Sequence, residues 1–82
     1  MTKKILGLVT VEKTIANFLI IQLVEKRKKL GLSQRDLAKL TEIKQPTIAK
    51  IEKGRITPRL DTFLKLTQAL NIYVKLVDIK VL

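Results

Sequence analysis

The sequence predicts a mainly α-helical domain of about four helices, with a β-strand at its C-terminal end and a short strand or ordered arm at its N-terminal end. Three observations carry this. Apolar residues recur at helical spacing in four segments between Val11 and Leu70, most of them bounded by a capping residue, a proline or a glycine. Ile72 to Leu82 is instead β-branched and alternating. The 82 residues make one unit, divided as 1–10 for the arm, 11–71 for the helical domain and 72–82 for the strand.

The elements follow in order. Ile5-Leu6-Gly7-Leu8-Val9-Thr10-Val11 has the composition of a strand or arm. Thr10 suits the cap of a first helix, with Glu12 near its positive end. That helix is expected from Val11 to Leu30, stopped by Gly31 after a cationic last turn of Lys26, Arg27, Lys28 and Lys29. Ile15, Ala16, Phe18, Leu19, Ile20, Ile21, Leu23 and Val24 cover most of its circumference, whereas one core-facing stripe needs about a third of the positions. The helix should therefore bury a second face, either against a partner or under the N-terminal segment. Ser33 opens a second helix, with Asp36 completing an S-x-x-D capping box and Leu37, Ala38 and Leu40 expected on its inner side. Thr41 to Lys44 breaks it. Gln45-Pro46 starts a third helix, because proline fits the first helical turn, and Gly54 ends it. A fourth is expected from Leu60 to Leu70, with Phe63, Leu66 and Leu70 inward. In the tail, Ile72, Val74 and Leu76 share one face of a strand and Val77, Ile79 and Val81 the other, which a bulge near Leu76-Val77 would reconcile. A lone strand needs a partner, so these six residues are expected to pair two copies of the chain, with Ile5 to Val11 as a rival partner.

Composition narrows the function. There is no cysteine and no histidine, which removes disulfides, thiolate metal sites and the commonest general base. No cofactor is expected. Asp36, Glu52 and Asp61 already have structural roles, no carboxylate pair stands out as acid and base, and no glycine-rich phosphate loop is present, so an enzyme is not expected. The apolar run from Phe18 to Val24 is too short to span a membrane and lies too far in for a secretory signal, so a cytoplasmic, nucleoid-associated protein is expected. The formal charge is +10, and residues 26–59 hold eleven basic side chains against three acidic ones. That concentration suits a polyanion, although a solvated basic surface is the plain alternative. RNA binders usually show exposed aromatics for stacking, and both Phe18 and Phe63 read as core here.

Residues 34–55 read as two helices crossing at a short turn. Ala38 supplies the small residue for the crossing, Ile48 and Ile51 the inner face of the second helix, and Ile43 the plug of the turn. The opposite face then carries Thr47, Lys50 and Lys53, with Gln45 at its start. Gln can read adenine through two hydrogen bonds, and Lys can read guanine or hold phosphate.

Leu32-Ser33-Gln34-Arg35-Asp36-Leu37-Ala38, followed by Ile43-Lys44-Gln45-Pro46-Thr47-Ile48-Ala49-Lys50-Ile51-Glu52-Lys53-Gly54, resembles the lambda-repressor/Cro-like (XRE) helix-turn-helix family over about residues 24–71. With Pro58, Leu60, Asp61, Thr62 and Ala69-Leu70, it is most similar to antitoxin regulators of the HigA and HipB kind, and the tail is similar to the strand that joins HipB dimers. The resemblance implies that Gln34 contacts phosphate and braces Gln45. It places Gln45, Pro46, Thr47, Ala49 and Lys50 toward base edges or the adjoining backbone, Lys53, Arg55 and Arg59 on phosphates, and Lys44 among the DNA-binding residues. It also implies a buried ion pair of Arg27 with Glu52. Three features depart from the pattern: Glu42 stands where glycine is usual in the turn, Arg59 stands where Ser or Thr caps the fourth helix, and a tail reaching toward a toxin is not expected after the strand. The implied function is a repressor that binds a palindromic double-stranded DNA operator as a homodimer and serves as the antitoxin of a type II toxin–antitoxin module, with a protein toxin as partner. The alternative is a stand-alone phage-type or restriction-controlling regulator.

Overall fold

The computed structural model describes residues 5–6 and 9–78. It contains β1 (Ile5–Leu6), β2 (Val9–Thr10), α1 (Val11–Lys29), α2 (Gln34–Thr41), α3 (Gln45–Glu52) and α4 (Leu60–Ala69). The domain is mainly helical, as its periodicity predicts.

Each helix starts and stops for a local reason. Thr10 caps α1, its side chain accepting the Lys13 N–H at 3.2 Å. At α2 the capping box is complete: the Asp36 N–H donates to Ser33 Oγ at 3.0 Å, and the Ser33 N–H to Asp36 Oδ2 at 2.8 Å. Pro46 lies in the first turn of α3. Three of the helices end in the same way, with the backbone turning left-handed at Gly31 (φ 73°), Gly54 (φ 73°) and Asn71 (φ 58°). The next residue's N–H then reaches back five positions: Leu32 to the Arg27 carbonyl, Arg55 to Lys50 and Ile72 to Thr67.

The break between α2 and α3 has no glycine. Glu42 takes the left-handed conformation itself, at φ 61°, at a cost of about 1 kcal/mol. Thr41 offsets it. Its buried hydroxyl donates to the Leu37 carbonyl at 2.7 Å and accepts the Ile43 N–H at 3.3 Å, so the turn keeps its hydrogen bonds.

The core is small and is shared by all four helices: Ile20 and Leu23 from α1, Leu37 from α2, Ile48 and Ile51 from α3, and Leu66 from α4 with Leu70 at its C-terminal cap. Ala38, Ile43 and Phe63 pack at its edge. Leu40, expected inward, is 60% exposed. Leu37 and Thr41, one turn apart, take the inner positions of this two-turn helix and rotate Leu40 outward.

The expected C-terminal strand is not formed among the described residues. Residues 72–78 have no regular structure. A strand exists only where a neighbour accepts its hydrogen bonds, and β1 and β2 pair with each other, Ile5 opposite Thr10 and Leu6 opposite Val9. Among the described residues the rival pairing of the N-terminal segment with the tail within one chain is not formed either, and no bulge is needed at Leu76-Val77. Ile72 is half-buried against the core, whereas Val74, Leu76 and Val77 are exposed. Ile79 and Val81 lie outside the described residues.

Candidate nucleic-acid interface

α2 and α3 form the crossing pair. Ile48 and Ile51 are almost completely buried, so α3 is anchored along one side and the residues between them turn outward. Lys44, Pro46, Lys50, Lys53, Arg55 and Arg59 are exposed; Gln34, Gln45, Thr47 and Ala49 are half-buried. Gln45 is the first residue of α3 and Lys50 lies on its last turn, while Lys53 and Arg55 follow its C-terminal end. Arg59 precedes α4 and makes no capping bond; its guanidinium lies 3.4 Å from Asp61, with both side chains open to solvent, a pair worth little in water.

Behind α3 lies a charged centre. Arg27 Nε and Nη2 donate to the two oxygens of Glu52 at 2.7 and 2.9 Å, and Nη1 donates to the Leu32 carbonyl at 2.7 Å. Both side chains are about nine-tenths buried. The hydrogen bond to Glu52 raises the guanidinium's pKa further above its ordinary value, against the opposing effect of burial. The pair ties α1 to α3, and the Leu32 contact also fixes the loop that enters α2. Gln34 Nε2 donates to Glu52 Oε1 at 2.9 Å, and Gln45 Nε2 donates to Gln34 Oε1 at 2.7 Å. The Gln34–Glu52 bond has no counterpart in the sequence reading, because eighteen positions separate the two residues and no periodicity links them.

A second surface is apolar. Ile15, Phe18, Leu19 and Ile21 of α1 are exposed, as are Leu60 and Leu64 of α4. A groove of about 330 Å³ runs between α1, the segment before α4, and Val74. Lys13 Nζ donates to Thr57 Oγ1 across it at 3.3 Å. Sequence reasoning anticipated the excess apolar surface of α1 but not this groove.

The helix-turn-helix family model matches residues 23–76, well over half of the chain. The chain belongs to the XRE-type helix-turn-helix family. That family is DNA-binding and non-enzymatic, and the chain is accordingly a helix-turn-helix regulator. An HTH-type transcriptional regulator of Haemophilus influenzae is 41% identical over 70 residues, covering 85% of this chain and 71% of that protein. Among solved structures, the chain is similar to one in a HipA-HipB-O2-O3 complex, at 30% identity and a TM-score of 0.72, over 96% of this chain and 100% of that one. It is also similar to one in a toxin–antitoxin module from Streptococcus pneumoniae, at 28% identity and a TM-score of 0.68, over 88% and 84% of the two chains. Among the described residues, no helix is long and apolar enough to cross a membrane and no group of side chains is arranged to hold a metal.

Proposed function

We propose that this chain is a sequence-specific repressor that lays α3 in the DNA major groove, binds a palindromic operator as a homodimer in the cytoplasm, and is the antitoxin of a type II toxin–antitoxin module. One observation carries the DNA reading. Buried Ile48 and Ile51 fix α3 and leave Lys50 exposed, with Gln45 and Thr47 half-buried on its flanks. Side chains of this kind on a recognition helix read base edges. Exposed Lys44, Lys53, Arg55 and Arg59 supply phosphate contacts.

Dimerisation is supported by the apolar surface of α1. A domain of this size has little core to spare, and a clustered exposed apolar surface marks an interface. Tyr73, Leu76 and Val77, all strongly exposed, add to the available area without forming a strand. The antitoxin role is supported by likeness to chains in the HipA-HipB-O2-O3 complex and in the pneumococcal toxin–antitoxin module. One observation favours the stand-alone regulator instead: at +10 the chain would repel a basic toxin.

Selection from a randomised duplex pool, followed by sedimentation of the complex, tests the first part. The expected result is a palindrome bound by two chains; selection of no sequence refutes it. Co-expression with the adjacent small reading frame tests the second. Relief of growth arrest by this chain is expected, and a neighbour without toxicity favours the stand-alone regulator.

A further inference from the structure

The hydrogen bonds running from Arg27 to Gln45 have a direction. An ionised carboxylate only accepts. Two of the contacts to Glu52 come from Arg27, and the third comes from Gln34. Only the amide nitrogen of Gln34 can face that carboxylate, so its carbonyl oxygen must face Gln45. Gln45 in turn can answer only with its own amide nitrogen. Reversing either amide would set oxygen against oxygen. At the outer end, Gln45 retains its second amide N–H and its whole carbonyl oxygen, and neither is used by another described residue.

We propose that the buried Arg27–Glu52 pair sets a base preference: through the polarity of Gln34 it holds the Gln45 amide in one orientation, with oxygen and N–H in a fixed order toward the groove. Adenine presents a donor at N6 beside an acceptor at N7 and matches that order; guanine presents two acceptors and does not. Glu52 and Gln34 are then positioning residues for specificity as well as parts of the fold. A free glutamine can rotate its amide and accept several partners. One locked at its inner nitrogen has that choice removed before DNA arrives, so orientation costs nothing at binding.

The inference rests on α3 being the reading helix, and the experiment separates the two. The preferred duplex of the unaltered chain is selected from a randomised pool. Its affinity, and that of every single-base variant, is then measured for the unaltered chain, Gln45→Ala, Lys50→Ala, Gln34→Met and Glu52→Gln, each at a temperature where circular dichroism shows it folded. Gln45→Ala should abolish an adenine preference of about 5- to 150-fold at one base pair of each half-site. Gln34→Met preserves shape and leaves the ion pair in place; it should flatten that same position at least fivefold and leave the others unchanged. Loss of a phosphate contact alone would weaken all duplexes equally. Glu52→Gln, able to donate as well as accept, should also flatten or alter that position. If Gln45→Ala loses the preference and Gln34→Met retains it, the relay is refuted while the reading helix stands. If Gln45→Ala changes no position, Gln45 reads no base and the relay fails; the reading helix itself falls only if Lys50→Ala changes no position either.

Discussion

Arg27 and Phe18 lie nine positions apart on α1, yet the arginine is 8% exposed and the phenylalanine 64%. This inverts the usual sorting of charged and aromatic side chains. The arginine is tolerated inside because its donors reach two carboxylate oxygens and a carbonyl. Among the described residues no such completion is present at Phe18, Ile15 or Ile21. One flank of α1 is finished within a single chain, by polar groups that satisfy one another. The other is left apolar and open among the described residues, the surface on which the proposed dimer rests. The contrast separates a flank that folds the domain from one on which the proposed assembly rests.

The sharpest way to break the comparison is at the arginine. Arg27→Met strands the Glu52 carboxylate and should destabilise the fold by about 3–5 kcal/mol. With Glu52→Gln, the double variant should lose less than the sum of the single losses, as read in a denaturant cycle by circular dichroism. Strict additivity would show that the pair contributes nothing jointly.

Lys50→Ala should leave the unfolding midpoint nearly unchanged and weaken discrimination between the selected and a scrambled duplex by about 1–3 kcal/mol. If only the salt dependence of binding changes, Lys50 holds phosphate instead. Affinities for both duplexes unchanged from those of the unaltered chain would remove Lys50 from the interface.

Ser33→Ala removes one half of the capping box and should cost about 1 kcal/mol. The same motif predicts a pH dependence. Hydrogen bonds from the Ser33 backbone and hydroxyl, in that order, hold the Asp36 carboxyl below its ordinary range. Its contribution to stability is therefore complete above the unfolded-state pKa, near 3.9, and disappears as pH falls through the lower folded value. Acid titration of stability should show a smaller drop in that window for Ser33→Ala than for the unaltered chain; equal drops would count against the cap.

The smallest effect on the fold is expected on the open flank. Phe18→Ser should change the stability of the isolated chain by no more than about 0.5 kcal/mol, while sedimentation shifts toward monomer and affinity for a palindrome falls. A large loss of folding stability with no change in sedimentation would mean that Phe18 serves its own chain's core.

Most of the helical frame is legible in the residues, because Thr10, Ser33 with Asp36, Pro46, Gly31 and Gly54 each act within a turn of where they stand. Ile48 and Ile51 are legible for the same reason, through spacing on one short helix. Association between elements is a different matter. The Arg27–Glu52 pair followed only from family resemblance, and Gln34–Glu52 from nothing in the sequence, since hydrogen bonds across elements leave no periodic trace. The tail shows the opposite failure. Residues 72–78 have the side chains of a strand, but a ladder is a property of two segments, and the described residues supply no neighbour for it. Apolar character alone puts Leu40 inward, although in eight residues only the Leu37–Thr41 stripe is buried.

The left-handed stops at Gly31, Gly54 and Asn71 bear on how fast this protein becomes competent. Each corner is closed by backbone hydrogen bonds spanning no more than five positions, so the direction in which the chain leaves a helix is decided before distant segments meet. Domains built from such local contacts fold in microseconds to milliseconds, far faster than a ribosome adds the next residue. A newly made chain of this kind is ready almost as soon as it is released. The delay before it occupies a binding site is then governed by its encounters with other molecules, and so by its concentration, rather than by its own folding.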